Sequence, residues 1–272
     1  MIVIEKNNPL SETIGNTIIA SNIEAIGWDS SIVPLYKMLS DMRPNLVIYG
    51  QEANVNGIGY IKQKYPSTTL VYIGDYPADE VVADMVVGDS SSRRSIPLPK
   101  NVYDITNIKK GQKRDHMKCK LASFTDSMKE QTVQRFSNIF VELFEKGARF
   151  FGDVRLDAHP YLGKVTDQER ADIVNSCETY IDITSDYWHK CVIMGTVPIV
   201  LSTEEIPGIN TFHDNESLLV ALDAVSNEDY NMQAAAEEIK NNSGCSFCAE
   251  LFSSLGANEA VQSILKSKEA IL

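Results

Sequence analysis

The chain has 272 residues, of which 43% are hydrophobic and 23% charged, and a formal net charge of −12. Those are globular values in a chain long enough for two compact lobes, and they exclude a disordered chain or a coiled coil. No apolar run approaches membrane-spanning length, the start MIVIEKNNPL is not a signal-peptide pattern, and the acidic balance disfavours nucleic-acid binding by bulk electrostatics.

Residues 2–5 (IVIE) read as a short buried strand, and Ser11 as the cap of a helix whose Ile14, Ile18, Ile19, Ile23 and Ile26 keep helical spacing as far as Gly27. A strand near Ser31–Pro34, a short helix stopped before Pro44, a strand at 45–50, a helix around 57–65 and strands at 69–74 and 84–87 follow. Such alternation implies a parallel sheet. The stretches SSSRRSIPLPKN and KKGQKRDHMKCK lack periodicity, so residues 99–120 are expected as a basic linker between a lobe over 1–98 and another over 121–256. From Arg93 to Lys120, nine Lys and Arg face only Asp104 and Asp115, a net +7 that leaves −19 on the rest.

The second lobe repeats the pattern, with strands at 120–124, 148–152, 179–184 and 198–202 and helices at 129–147, 167–176 and 186–194. Residues 215–271 are largely helical by propensity, with 257–272 set apart as a terminal helix, amphipathic over 258–268. Five cysteines, odd in number and without a secretory signal, are expected as free thiols in a reducing cytoplasm. Cys245 and Cys248 form one CxxC with no second pair, and the four histidines lack metal-ligand spacing, so no metal is expected.

Open parallel sheets bind ligands beyond the carboxyl ends of their strands, which directs attention to the loops at 6–11, 51–56, 75–79, 123–128, 153–166, 184–187 and 202–208. Neither GxGxxG nor a Walker loop opens either half, which disfavours dinucleotide oxidoreductases and P-loop enzymes. Glu12 and Asp75 are the acidic candidates for orienting or deprotonating a hydroxyl, and Lys129, Arg155 and Lys164 the cations for a leaving diphosphate. Each also has a plain reading, as a first-turn helix acid, a turn residue or a solvated surface charge.

The stretch Cys177–Asn210, where a helix ends at Gly195-Thr196-Val197-Pro198 between two strands, resembles the donor-binding region of GT-B glycosyltransferases; an ordinary connection with a glycine cap has the same pattern. Other segments resemble, in the same order, the T-even phage DNA glucosyltransferases. They are Pro9-Leu10-Ser11-Glu12-Thr13-Ile14, Gly74-Asp75-Tyr76-Pro77, Ala122-Ser123-Phe124 with Lys129 downstream, Phe150-Phe151-Gly152-Asp153-Val154-Arg155, Leu162-Gly163-Lys164-Val165 and the tail Ser243-Gly244-Cys245-Ser246-Phe247-Cys248.

The resemblance implies an α/β, GT-B-like fold of two Rossmann-like parallel-sheet lobes with a cleft between them. It implies transfer of a hexose from UDP-glucose, with no tightly bound cofactor, to a hydroxyl of double-stranded DNA carrying hydroxymethylcytosine or its glucosylated form. Glu12 and Asp75 would then be catalytic, and Ser123, Lys129, Arg155, Lys164, Val165, Lys190 and Gly195 would bind the donor. The basic residues Lys109, Lys110, Lys113 and Arg114 would meet the DNA backbone. The chain departs from that group at Lys190, where a Glu holds the ribose hydroxyls, and at Thr125, where an Arg meets the phosphates. A catalytically silent GT-B-like binding module, and a transferase acting on a surface glycan or small molecule, therefore stay open as alternatives.

Overall fold

The computed structural model describes residues 1–6, 8–50, 62–74, 83–88, 94–106, 108–109, 111–124, 140, 143–152, 162–184, 187–227 and 232–272. The chain divides into two units, Met1–Asn107 with Asn242–Leu272, and Ile108–Asn241. Each is built on one parallel sheet.

Over the described residues the first unit contains β1 (Ile2–Glu5), α1 (Pro9–Ala20), β2 (Ala25–Trp28), α2 (Leu35–Met42), β3 (Leu46–Gly50), β4 (Thr69–Ile73), β5 (Met85–Val87) and β6 (Ser95–Ile96). Its sheet order is β2-β1-β3-β4-β5-β6. The second unit contains β7 (Cys119–Phe124), β8 (Ala148–Phe151), α3 (Asp167–Ser176), β9 (Cys177–Asp182), α4 (Trp188–Met194), β10 (Val197–Leu201), β11 (Asn210–Phe212), α5 (Asn215–Asn227) and α6 (Gln233–Asn241). Its order, β8-β7-β9-β10-β11, is the same progression: second strand, first, third, fourth, fifth. The chain then returns to the first unit with α7 (Gly244–Ser254) and α8 (Asn258–Ile271).

Central strands buried on both faces need unbroken apolar runs, which is what LVIYG, TLVYI and MVV supply. Alternate residues Val3, Val47, Tyr49, Leu70, Tyr72 and Val86 pack with Trp28, Met38 and Leu39 on one face of the first sheet. In the second sheet, Leu121, Phe150, Ile181, Ile183 and Ile199 pack with Leu218 and Leu222 of α5. The opposite face carries Ala122, Phe124, Phe151 and Tyr180 against Ile173 and Val174 of α3 and Cys191 of α4.

Three local expectations change. The first helix starts at Pro9 because the Asn8 side chain, ahead of Ser11, accepts from Leu10 N and Ser11 N, with proline at the first helical position. It ends at Ala20, since Asn22 turns to φ 56, and Ile26 belongs to strand β2 instead of to the helix. The second strand is therefore 25–28, and Ile32 and Val33 close a turn on the Asp29 carbonyl. The helices expected around 57–65 and 129–147 lie largely outside the described residues.

The segment 99–120 is shared between the units. Asp104 accepts from Asn16 of α1 at 2.8 Å, and Tyr103 exchanges backbone hydrogen bonds with Asn242 and Gly244. Further on, residues 111–114 dock on α3. Gln112 N and Arg114 Nε donate to Asp172, Arg114 N donates to Ser176 Oγ, and Asn175 Nδ2 donates to the Gly111 carbonyl. A Cβ at Gly111 would stand 2.0 Å from the Ala171 carbonyl oxygen, so only glycine permits this approach.

Candidate functional site

In a sheet of this order the chain moves from the first strand to one neighbour and later returns on the other side, leaving a crevice between the first and third strands at their carboxyl ends. The first unit has that point between β1 and β3, and the second between β7 and β9.

At the second unit's switch point, β7 ends on Phe124 and β9 on Asp182. Asp182 is fully buried. Its Oδ2 accepts from Tyr187 N at 2.8 Å and Trp188 N at 2.7 Å, and its Oδ1 from the Thr184 amide and hydroxyl, which fixes the entry to α4. That places the Tyr187 ring 6.3 Å from Phe124 and 5.9 Å from Tyr180, with Phe151 5.7 Å from Phe124. Helix α3 begins in a reciprocal cap between Thr166 and Glu169, so the next residue, Arg170, rises from its first turn. The Arg170 guanidinium lies 4.4 Å from the Phe124 ring and 5.4 Å from Tyr187, and Lys190 Nζ lies 4.9 Å from Tyr187. Burial pushes the Tyr187 phenol well above its ordinary range. The result is a half-buried Tyr187 ring, backed by the buried rings of Phe124, Tyr180 and Phe151 and flanked by two half-buried cations, an arrangement suited to an anionic ligand with a flat face.

Of the residues expected to bind a donor, four share this end of the sheet. Ser123 is buried, its hydroxyl donating to the Ile181 carbonyl at 2.8 Å, so it ties β7 to β9. Val165 packs on the cluster around Phe124, Lys164 beside it is exposed, and Lys190 lies over Tyr187. Gly195 is separate. It closes α4 in a left-handed turn (φ 80) just ahead of β10, at the amino ends of the strands, where it does the work of a helix cap. Lys129 and Arg155 lie outside the described residues.

At the first unit's switch point, Glu5 ends β1 and is fully buried. Its carboxylate accepts from Ser30 Oγ and, at 2.6 Å, from Gly50 N at the end of β3. Glu12 stands apart from it, exposed in the first turn of α1, and Asp75 lies outside the described residues. Neither Glu5 nor Asp182 was singled out by sequence, although each is a charge inside an apolar strand run (IVIE, TYID). Arg170 and Tyr187 carry no signal in the sequence reading; the pattern Thr166–Glu169 directly before Arg170 is the one local cue that marks the start of its helix.

Among the basic residues 109–114, Lys109 is 4.0 Å from Asp167, and Arg114 meets Asp172 at 2.6 Å. The hydrogen bond from Gln112 N is the main cause that holds the Asp172 carboxyl below the usual carboxylate range. Lys113 is exposed, and Lys110 lies outside the described residues. All five cysteines are free thiols; burial pushes Cys245 up to about 11 and Cys248 higher still. Among the described residues no helix is long and apolar enough to cross a membrane, and no group of three His, Cys, Asp or Glu could hold a metal ion.

No family model and no curated protein matches the sequence. Solved structures do match. The chain is similar to a Listeria monocytogenes protein described as a UDP-N-acetylglucosamine 2-epimerase, at TM-score 0.57 and 11% identity over 94% of this chain and 96% of that one. It is also similar to Anabaena Alr3699/HepE in complex with UDP and glucose (TM-score 0.52, 10% identity, 94% and 99% covered). A third is a UDP-forming α,α-trehalose-phosphate synthase from Burkholderia xenovorans (TM-score 0.50, 9% identity, 92% and 80% covered). Identities this low establish the fold, which is the GT-B type: two parallel-sheet α/β units. They do not single out the DNA glucosyltransferases.

Proposed function

We propose that the protein is a nucleotide-sugar-dependent glycosyltransferase, in which the second unit holds the nucleoside diphosphate of the donor and the first unit takes the hydroxyl-bearing acceptor. The observation that carries this reading is the cation-lined aromatic surface of Phe124, Tyr187, Arg170 and Lys190 at a strand-end switch point. A nucleobase stacks on a partly exposed ring such as Tyr187, and a leaving diphosphate needs fixed positive charge. UDP as the nucleotide is supported by fold relatives whose structures contain it.

In this proposal Arg170 and Lys190 stabilise the charge that develops on the diphosphate, Lys164, Lys129 and Arg155 add to it, and Ser123 braces the sheet beneath. Asp75 is the proposed acceptor-activating carboxylate, with Glu12 beside the sugar. Glucose as the sugar, and hydroxymethylcytosine in DNA as the acceptor, are the finer readings implied by resemblance. The DNA reading asks the segment 109–114 for phosphate contacts, yet Asp172 and Asp167 offset part of that charge, which favours a saccharide or small-molecule hydroxyl.

Epimerisation of a nucleotide sugar is a second reading, favoured by fold relatives described as 2-epimerases. One assay separates the two. Each of a panel of UDP and ADP sugars is incubated with saccharide acceptors and with hydroxymethylated duplex, glucosylated and not, and both free nucleoside diphosphate and the recovered sugar are measured. Acceptor-dependent release of nucleoside diphosphate is the expected result. Interconversion of the sugar without release would replace transfer by epimerisation, and neither product from any donor would sink both.

A further inference from the structure

The edge of the first sheet formed by the amino ends of its strands lies away from the switch point, and two hollows open along it. One, of about 380 Å³, has Ile2 and Phe252 as its buried floor and the half-buried Ile23, Leu255 and Ala260 as its walls. The other, of about 720 Å³, is lined by Arg43, Lys64, Tyr65 and Ser67. Asn45 and Thr69 line both, so the hollows adjoin. Each volume falls within the range of about 300–1,000 Å³ usual for ligand pockets.

The sheet order β2-β1-β3-β4 sets the order of chemistry along this edge. The exposed Glu24 precedes β2, Ile2 opens β1, Arg43 and Asn45 precede β3, and Lys64, Tyr65 and Thr69 lead into β4. The edge thus runs from a carboxylate on the rim, through an apolar stretch, to an amide and a hydroxyl and then to two cations. Its backbone is already occupied. Ile2 N donates to the Glu24 carbonyl, Asn45 N to Met1 and Thr69 N to Asn45, while the Thr68 hydroxyl donates to the Pro44 carbonyl at 2.9 Å. Side chains therefore decide what the hollows recognise.

Two of those side chains are uncommitted: among the described residues, the Arg43 guanidinium and the Asn45 amide have no hydrogen-bond or ion-pair partner. Lys64 Nζ is held 5.5 Å from the Tyr65 ring centre. Arg43 also closes α2 at φ 45, a position where glycine or asparagine is usual. A long cationic side chain is kept there against backbone strain, and strain of that kind clusters at ligand clamps.

The two halves together select the ligand. A small inorganic anion meets the cations and leaves the apolar walls wet, whereas a neutral apolar molecule does the reverse. We propose that these adjoining hollows bind an anionic amphiphile. Its apolar body lies against Ile23, Leu255 and Ala260, its carboxylate or phosphate head lies beside Arg43 and Lys64, and Asn45 and Thr69 stand between. The Glu24 carboxylate at the opposite end sets the orientation by repelling the head.

Calorimetric titration of the full chain with octanoate and with octyl phosphate, each below the concentration at which it forms micelles, tests the proposal. Octanol supplies the same chain with a neutral head, and inorganic phosphate supplies a head without the chain. Saturable binding of at least one anionic amphiphile is expected, at least tenfold tighter than octanol or phosphate, and the tighter of the two identifies the head group. Arg43→Gly removes the cation and relieves the left-handed turn. It is expected to melt no lower than the parent and to bind the amphiphile at least tenfold more weakly, a combination that an arginine serving only the fold would not give. Ala260→Phe fills the apolar half and is expected to weaken binding by at least as much. No saturable binding to the parent, octanol binding as tightly as both anions, or undiminished affinity in folded Arg43→Gly overturns the proposal.

Discussion

The two sheets share a strand order and each ends in a buried carboxylate at its switch point, yet the carboxylates are used differently. Asp182 comes from the third strand of its sheet and is saturated, accepting from two backbone N–H groups at the start of α4 and two groups of Thr184. Glu5 comes from the first strand and reaches across to the third, accepting one bond on each oxygen. In the second unit the charge builds the frame that presents Tyr187 and Lys190. In the first, the charge ties the end of β1 to the end of β3 through Gly50 N and to Ser30. Similar topology therefore places similar groups, and the number of local donors decides how fully each carboxylate is engaged by the fold.

That contrast breaks most visibly at Asp182. Asp182→Ala strands buried backbone donors and removes the entry to α4, so it should lower stability by about 3 kcal/mol, measured by denaturant unfolding. A loss under 1 kcal/mol would mean that Asp182 does not hold α4. Asp172→Asn tests the docking of residues 111–114 and should cost about 1–2 kcal/mol at neutral pH. Because the folded pKa of Asp172 lies below its unfolded value of about 3.9, its contribution is complete above about pH 4. It fades as pH falls through the lower folded value. The stability gap between parent and variant should therefore narrow in acid, and a gap that widens there would contradict the assignment. Glu5→Gln should have the smallest effect on stability, less than about 1 kcal/mol, because an amide can still accept from Gly50 N and donate to Ser30 Oγ. A large loss from Glu5→Gln would make Glu5 a frame residue like Asp182 and erase the contrast.

Much of the fold was legible in the residues. The runs LVIYG and TLVYI read as buried parallel strands, and the helix expected at 167–176 is found at Asp167–Ser176, its amino end held by the Thr166–Glu169 capping box. The second strand was misplaced because Ile23 and Ile26 fit the period of the preceding helix, whereas Ser21 and Asn22 end it by backbone geometry. The pairing of Ser95–Ile96 with β5 depends on a distant sheet edge and has no local signal. For the site, the strand-end rule pointed to the loops that contain Phe124 and Tyr187 but not to Arg170 or Lys190, which lie on the helices that follow. Glu12 drew attention in a helix turn, while Glu5, at the end of an apolar run, passed as part of a strand. Phe124, Arg170, Tyr187 and Lys190 come from three separate segments and meet only once β7, α3 and α4 are in place.

The central claim is that a nucleoside diphosphate binds on the aromatic and cationic surface of the second unit. Calorimetric titration of UDP into the parent and into Arg170→Ala, with melting curves to confirm that both are folded, tests it most directly. The account predicts saturable binding to the parent and at least a tenfold loss of affinity in the variant, about 1.4 kcal/mol. No binding to the parent, or equal affinity in a folded Arg170→Ala, would contradict it.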